Sequence, residues 1–279
     1  MALLAVPQAL RTAVREGMEL AVGSVIPSLF VFSVLTQFLV RMRLLAPLES
    51  LISPVFGRLF RLPGAVFSAF LCGAVGGYPL GAQTVAALYR DGALSKSTAE
   101  TALAFCSNCG IAYIVCVVGP TIGLTVRESL LLYVLHLSSA VAVGWIAGRL
   151  SKQRDFSADN RTKPSQSSLA SALSLSVADA AASMVTLTGM ICFFRAATAA
   201  AEVVGVSVPK VLWGLTELSA GIASLGEGQV VAAAFLLGAG GICILCQTSV
   251  SVTPLKLKKY LPGKLLQALL SAALAALFF

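Results

Sequence analysis

Six stretches of the chain are apolar for the length that spans a bilayer, about 20 residues for a ~30 Å hydrocarbon core: residues 20–40, 99–118, 129–148, 177–201, 229–250 and the shorter 263–279. These read as transmembrane helices. Two further stretches are apolar but broken by helix-interrupting residues: 63–91, with GAVGGYPLGAQ (73–83) at its middle, and 209–227, with TELSAG (216–221). No water satisfies freed backbone groups inside a bilayer, so a break there is tolerated only when it is packed in protein or lines a cavity. Interrupted segments of this kind mark substrate and ion sites in transporters.

Between the first two spans, residues 44–60 mix leucine and phenylalanine with Pro47, Glu49, Pro54 and Arg58 and read as an interfacial amphipathic segment. Residues 151–168, SKQRDFSADNRTKPSQSS, are polar and charged and read as a cytoplasmic linker. The expected organisation is a first membrane repeat at 1–150, the linker at 151–168 and a second repeat at 169–279. Composition agrees: 57% of residues are hydrophobic, 11% are charged and the mean hydropathy is +0.89, where a soluble domain carries about a quarter of charged residues. No cleavable signal is expected, because the first basic residue, Arg11, follows an apolar start instead of preceding one.

The two halves show a weak internal repeat. Residues 21–32 lie over 181–194, Gly73 over Gly214, and residues 108–111 over 239–242, with gaps confined to connections. The arms on either side of GGYP are about 20 Å long at 1.5 Å per residue, too short to cross singly. If both interrupted segments dip in and return, fifteen Lys and Arg between Arg41 and Lys264 share one side, and Arg11, Arg15, Arg127 and Lys210 hold the other. Cytoplasmic loops carry the excess of Lys and Arg, so the reading is re-entrant, with the linker cytoplasmic and both termini outside. Three crossings per half then make the halves inverted. The expected fold is an all-α polytopic membrane protein of two inverted repeats, each with three transmembrane helices and one re-entrant helical hairpin.

At the first tip, Gly77 and Gly81 allow close backbone approach, Tyr78 supplies a ring and a hydroxyl, and Pro79 starts the second arm. The N-terminus of that arm would attract an anion or a carbonyl, with Gln83 in its first turn. Tight helix packing through small residues is the alternative. The second tip places Thr216, Glu217 and Ser219 at membrane depth. An acid there is costly unless paired, wet or protonated, which makes Glu217 the candidate coupling residue; in the structural alternative it pairs with Arg195. Arg195, inside the span at 177–201, is itself a candidate anion ligand or a snorkelling cation. Ser107 and Asn108 interrupt the span at 99–118, and Gln247 follows the corresponding glycines of the span at 229–250. His136, the sole histidine, reads as a hydrogen-bonded helix residue.

Cys106, Cys109, Cys243 and Cys246 form two i, i+3 pairs and raise the alternative of a metal site. No His or carboxylate accompanies them, and structural thiols are the favoured reading. No nucleophile, base and orienting residue occur at meaningful spacing, so an enzyme is not expected. The net charge of +8 belongs to loops that face anionic lipid and not to nucleic-acid binding.

The runs IPSLFVFSVL, FRLPGAVFSAFLCGAVGGYPLGAQTVAALYRDGALSKSTAETALAFCSNCGIAYIVCVVG, LTELSAG and GGICILCQTS resemble the Gate-domain, or nucleoside-recognition, membrane family, and within it the sporulation integral membrane protein (YlbJ) type. The resemblance implies a core similar to concentrative nucleoside transporters. It implies movement of a small polar solute, dipicolinate in the sporulation branch, and a bacterial inner or forespore membrane. It carries over Gly77, Tyr78, Pro79, Gly81, Ala82, Asn108 and Glu217. The functional expectation is a transporter or transporter-like permease for a small polar, anionic solute or a nucleoside, without a cofactor and with a proton or sodium as candidate coupling ion. A ferrous-iron or other metal permease and a non-transporting assembly or signalling protein are the alternatives. The expected partners are the lipid bilayer, the solute and a candidate homo-oligomer.

Overall fold

A computed structural model describes residues 7–151, 168–206 and 210–279; the polar segment read as a linker and the start of the second interrupted segment lie outside these. All the described secondary structure is helical. Among the described residues six helices are long and apolar enough to cross a membrane, so the chain is a multi-pass membrane protein.

Helix α1 (Pro7–Arg41) carries a π turn at Ala21–Val25. It is followed by α2 (Ala46–Phe60), α3 (Ala65–Gly76) and α4 (Leu80–Arg90). Helix α2 meets α3 at 92°, so the two do not make one straight span. Leu51 and Val55 of α2 are exposed, as expected of a helix lying against lipid. Helices α3 and α4 pack as a hairpin closed at Gly77–Pro79. The second span consists of α5 (Lys96–Cys106) and α6 (residues 111–121), separated by a non-helical break at 107–110. Helix α7 (Val126–Leu150) closes the first half, and its N-terminus is held by a capping box between Thr125 and Glu128.

The same order recurs in the second half. The long helix α8 (Leu169–Val203) precedes a short hairpin of α9 (Lys210–Thr216) and α10 (Leu218–Ala223). A broken span follows, α11 (Val230–Ala239) and α12 (Gly241–Ser251), and then α13 (Tyr260–Phe278). Both hairpins close on a glycine pair. A Cβ added to Gly73 would sit 3.2 Å from the Gly81 Cα, and one on Gly214 would sit 3.1 Å from the Gly221 Cα. Lipid is as apolar as leucine, so helices in a membrane associate through close packing of small residues. The paired glycines let the hairpin arms touch backbone to backbone.

Helices α1 and α8 run antiparallel: Glu16 near the start of α1 pairs with Arg195 near the end of α8 at 2.7 Å, and Arg41 at the end of α1 pairs with Asp179. Both helices extend beyond the apolar windows that mark them in the sequence, starting at Pro7 instead of residue 20 and at Leu169 instead of 177. The charged segment Arg11–Glu19 stays helical because its small face, Ala13 and Gly17, packs on α8 while Arg11, Arg15 and Glu19 point outward and Glu16 meets Arg195.

The remaining connections sort to two ends. At one, the Gly228 N–H donates to the Ile122 carbonyl at 3.0 Å. At the other, the Lys256 N–H donates to Glu100 at 3.0 Å and Lys259 Nζ donates to Thr101 Oγ1 at 2.7 Å.

Candidate functional site

Each broken span leaves helix-terminal carbonyls and N–H groups without intrahelical partners, and in a membrane core these must be met by protein. The partners they find build the centre of the molecule. Leu237, in the last turn of α11, gives its carbonyl to Tyr78 Oη at 2.8 Å, so the first hairpin tip seals the second break. Gly240 and Gly241 make that break with φ of +76° and +83°, a left-handed conformation that side chains rarely adopt. At the first break the Cys109 N–H donates to His136 Nε2 of α7 at 3.1 Å. The Phe105 carbonyl accepts from Asn108 Nδ2 at 2.8 Å, and the Ser107 carbonyl accepts from Lys264 Nζ at 2.8 Å. The Cys106 carbonyl faces Gly73 and Gly81, where any Cβ would overlap it.

Between the tips and the breaks lies a pocket of about 40 Å³, room for roughly three waters at 10–15 Å³ each. The first tip contributes Gly77 and Tyr78, the second Glu217 and Ser219, the first break Gly110 and helix α12 Gln247. Val25 and Leu29 of α1 reach it at and just after the π turn, the kind of helical irregularity that recurs at functional sites. The Glu217 carboxylate is 3% exposed. It caps α10, accepting from the Ser219 N–H at 2.9 Å and from the Ala220 N–H. The anion-attracting N–H groups of the second tip are thus held by the protein's own acid. Tyr113, also lining the pocket, has a buried hydroxyl with no partner in hydrogen-bond geometry. No Lys, Arg or His is among the residues that line it.

Five residues singled out in the sequence, Gly77, Tyr78, Glu217, Ser219 and Gln247, therefore meet at one place. The others sit elsewhere. Gly81 packs on the Cys106 carbonyl, and Pro79 and Gln83 are half-buried on α4 outside the pocket lining. Ser107 and Asn108 lie one layer behind, fully buried. Thr216 turns its hydroxyl to the Trp213 carbonyl at 2.7 Å. Arg195 pairs with Glu16 and not with Glu217, because it emerges on the face of α8 that packs against the charged start of α1. Cys109 and Cys243 line the pocket, but Cys106 points to the Val66 carbonyl, and among the described residues no three His, Cys, Asp or Glu side chains converge as metal ligands.

Sequence reasoning missed Lys264 and Gln267. Lys264 enters the charge count as a loop cation, yet its side chain is 3% exposed inside the protein. It stands in the first turns of α13, where Gly263 lets α13 approach the Ala104 backbone closely enough to bury the lysine. The signal was available: Lys264 and Gln267 are one turn apart at the head of an otherwise apolar run.

Helical hairpins that meet over a largely apolar pocket carrying a few polar groups, beside broken spans, define a multi-pass membrane protein of transporter-like construction. Residues 22–206 match the family described as Gate, nucleoside recognition, and the chain belongs to that family. The matched stretch contains the first hairpin and first break; the second hairpin and second break lie beyond it. No curated protein and no solved structure matches the chain.

Proposed function

We propose that the protein is a membrane transporter, or transporter-like permease, that binds a small polar solute between its two hairpin tips. The observation that carries this is the pocket itself, where both tips, the first break and helix α12 converge around the buried Glu217 carboxylate. A cavity lined by one carboxylate and no basic side chain favours a neutral solute with hydrogen-bond donors, of nucleoside type, over the anionic dipicolinate-like carboxylate of the YlbJ-type reading. In this reading the site is loaded and emptied by movement of a hairpin or one half against the rest. That movement is the alternating-access step, with Glu217 as the group that couples it to a proton or sodium.

In this reading the hairpins are re-entrant and the halves are inverted repeats. The antiparallel α1 and α8, the matched glycine pairs and the sorting of connections to two ends support it. Lysines 256, 258 and 259 share their end with Lys96 and the start of α5, and this gathering of positive charge supports a cytoplasmic assignment of that end with the termini outside. Removing Lys264 from the count leaves the charge bias intact. The membrane is taken to be a bacterial inner membrane.

A thermal-shift screen of purified protein against nucleosides, dipicolinate, other small carboxylates and divalent metals tests the proposal, because a ligand that binds the folded state raises apparent stability by mass action. Stabilisation by nucleosides supports it. Stabilisation by carboxylates alone returns the anion reading, and no response to any class refutes a solute site. A reporter at Phe279 found in the cytoplasm would refute the topology.

A further inference from the structure

Behind the pocket, and not part of its lining, Lys264 Nζ is enclosed by three oxygen acceptors from three parts of the chain. They are Tyr78 Oη at 2.8 Å from the first hairpin tip, the Ser107 carbonyl at 2.8 Å from the first break, and Gln267 Oε1 at 2.7 Å from α13 itself. The Tyr78 ring stands 4.8 Å from the same nitrogen, within the range of a cation–π contact. Among the described residues no carboxylate pairs with Lys264.

The direction of every bond around it is set by groups that can only accept. The Phe105 carbonyl must receive Asn108 Nδ2, which turns Asn108 Oδ1 toward Gln267 Nε2 at 2.9 Å and so turns Gln267 Oε1 toward the lysine. Tyr78 has given its hydrogen to the Leu237 carbonyl, so its oxygen is free only as an acceptor for Nζ. Ser107 offers a carbonyl. Three acceptors match the three hydrogens of an ammonium, and a neutral amine has one too few.

We propose that this cage is a binding site for a primary ammonium group, occupied in cis by Lys264, and that the bound charge holds the first hairpin tip and the first break against the second half of the protein. The site is built from both halves and does not depend on what the pocket transports. A burial this complete is sustained by the acceptors, so the cage should prefer a cation with N–H donors over an uncharged or fully alkylated one.

Chemical rescue tests it on the purified full-length protein. Lys264→Ala removes four side-chain atoms, and n-propylammonium replaces them. The expected result is a melting temperature lower than wild type by about 5 °C or more and recovered in large part by propylammonium. n-Propanol and tetramethylammonium at the same concentration should not restore it. Lys264→Met, which fills the space without charge, should be destabilised and indifferent to amine. If Lys264→Ala yields folded protein only when purified with propylammonium, that is the same result. Three outcomes would overturn the proposal: Lys264→Met as stable as wild type, equal rescue by propanol, or no recovery of Lys264→Ala with any amine.

Discussion

The hydroxyl of Tyr78 donates to the carbonyl of Leu237 at 2.8 Å, joining the first hairpin tip to the second broken span across 159 positions of sequence. The bond explains why a tyrosine stands at a tip otherwise made of glycine and proline. The break after α11 frees a carbonyl in a place without water, and the tip delivers a donor to it.

Tyr78→Phe keeps the ring and removes that donor. The Leu237 carbonyl and one Lys264 hydrogen then lose their partner, a cost of roughly 1–3 kcal/mol for a buried group left unsatisfied. The expected outcome is a lower melting temperature with the helical circular dichroism retained. An unchanged melting temperature would show that water takes over both groups.

Gly81→Ala should fail to give folded protein, because its Cβ would overlap the Cys106 carbonyl and the Gly73 Cα lies only 2.9 Å from the same position. Backbone atoms on both sides leave nothing to rotate away. Gly189→Ala, with nothing within 4 Å of the added carbon on α8, is the matched control and should be neutral or stabilising by up to about 1 kcal/mol. Equal yields of monodisperse protein from both variants would contradict the hairpin packing.

Glu217→Gln retains one oxygen to cap α10 and should insert and fold, yet it should abolish coupled uptake. Glu217→Ala also loses the cap and should cost about 1 kcal/mol more. Uptake in proteoliposomes, measured beside thermal stability, separates the two effects. Normal uptake by the glutamine variant would remove Glu217 from coupling.

Arg195→Gln should leave solute binding within twofold of wild type and stability within about 1 kcal/mol, since its partner Glu16 has a half-exposed side chain and such pairs contribute little. A large loss of affinity in the thermal-shift titration would return Arg195 to the solute site.

Much of the architecture is legible without coordinates. The six spans follow from apolar length, the first hairpin tip from glycine and proline set inside an apolar segment, and the second from its place in the repeat and the carboxylate of Glu217. The breaks follow from SNCG at 107–110 and GAGG at 238–241, where α6 and α12 begin at Ile111 and Gly241. Less legible were the helix ends. The charged start of α1 looks like a flanking segment until Gly17 is seen against Cys192, where an added Cβ would lie 3.1 Å from the Cys192 Cα. Of the candidate ligands, Gly77, Tyr78, Glu217, Ser219 and Gln247 reach the pocket, whereas Arg195 and Gln83 do not. Charge and polarity mark a residue as costly in a membrane but do not say which neighbour relieves the cost.

The sequence by itself determined that this chain lives in a bilayer, where its helices run and where they break, because helix formation and lipid burial depend on residues close together along the chain. Only the tertiary structure decided that Tyr78 closes the break at Leu237, that Glu217 caps its own hairpin, and that Lys264 is buried against Tyr78 and Ser107 and is not a loop residue. The physical reason is the same in each case. A polar group stranded in a dry interior takes the nearest partner that folding supplies, and such partners lie up to 186 residues away.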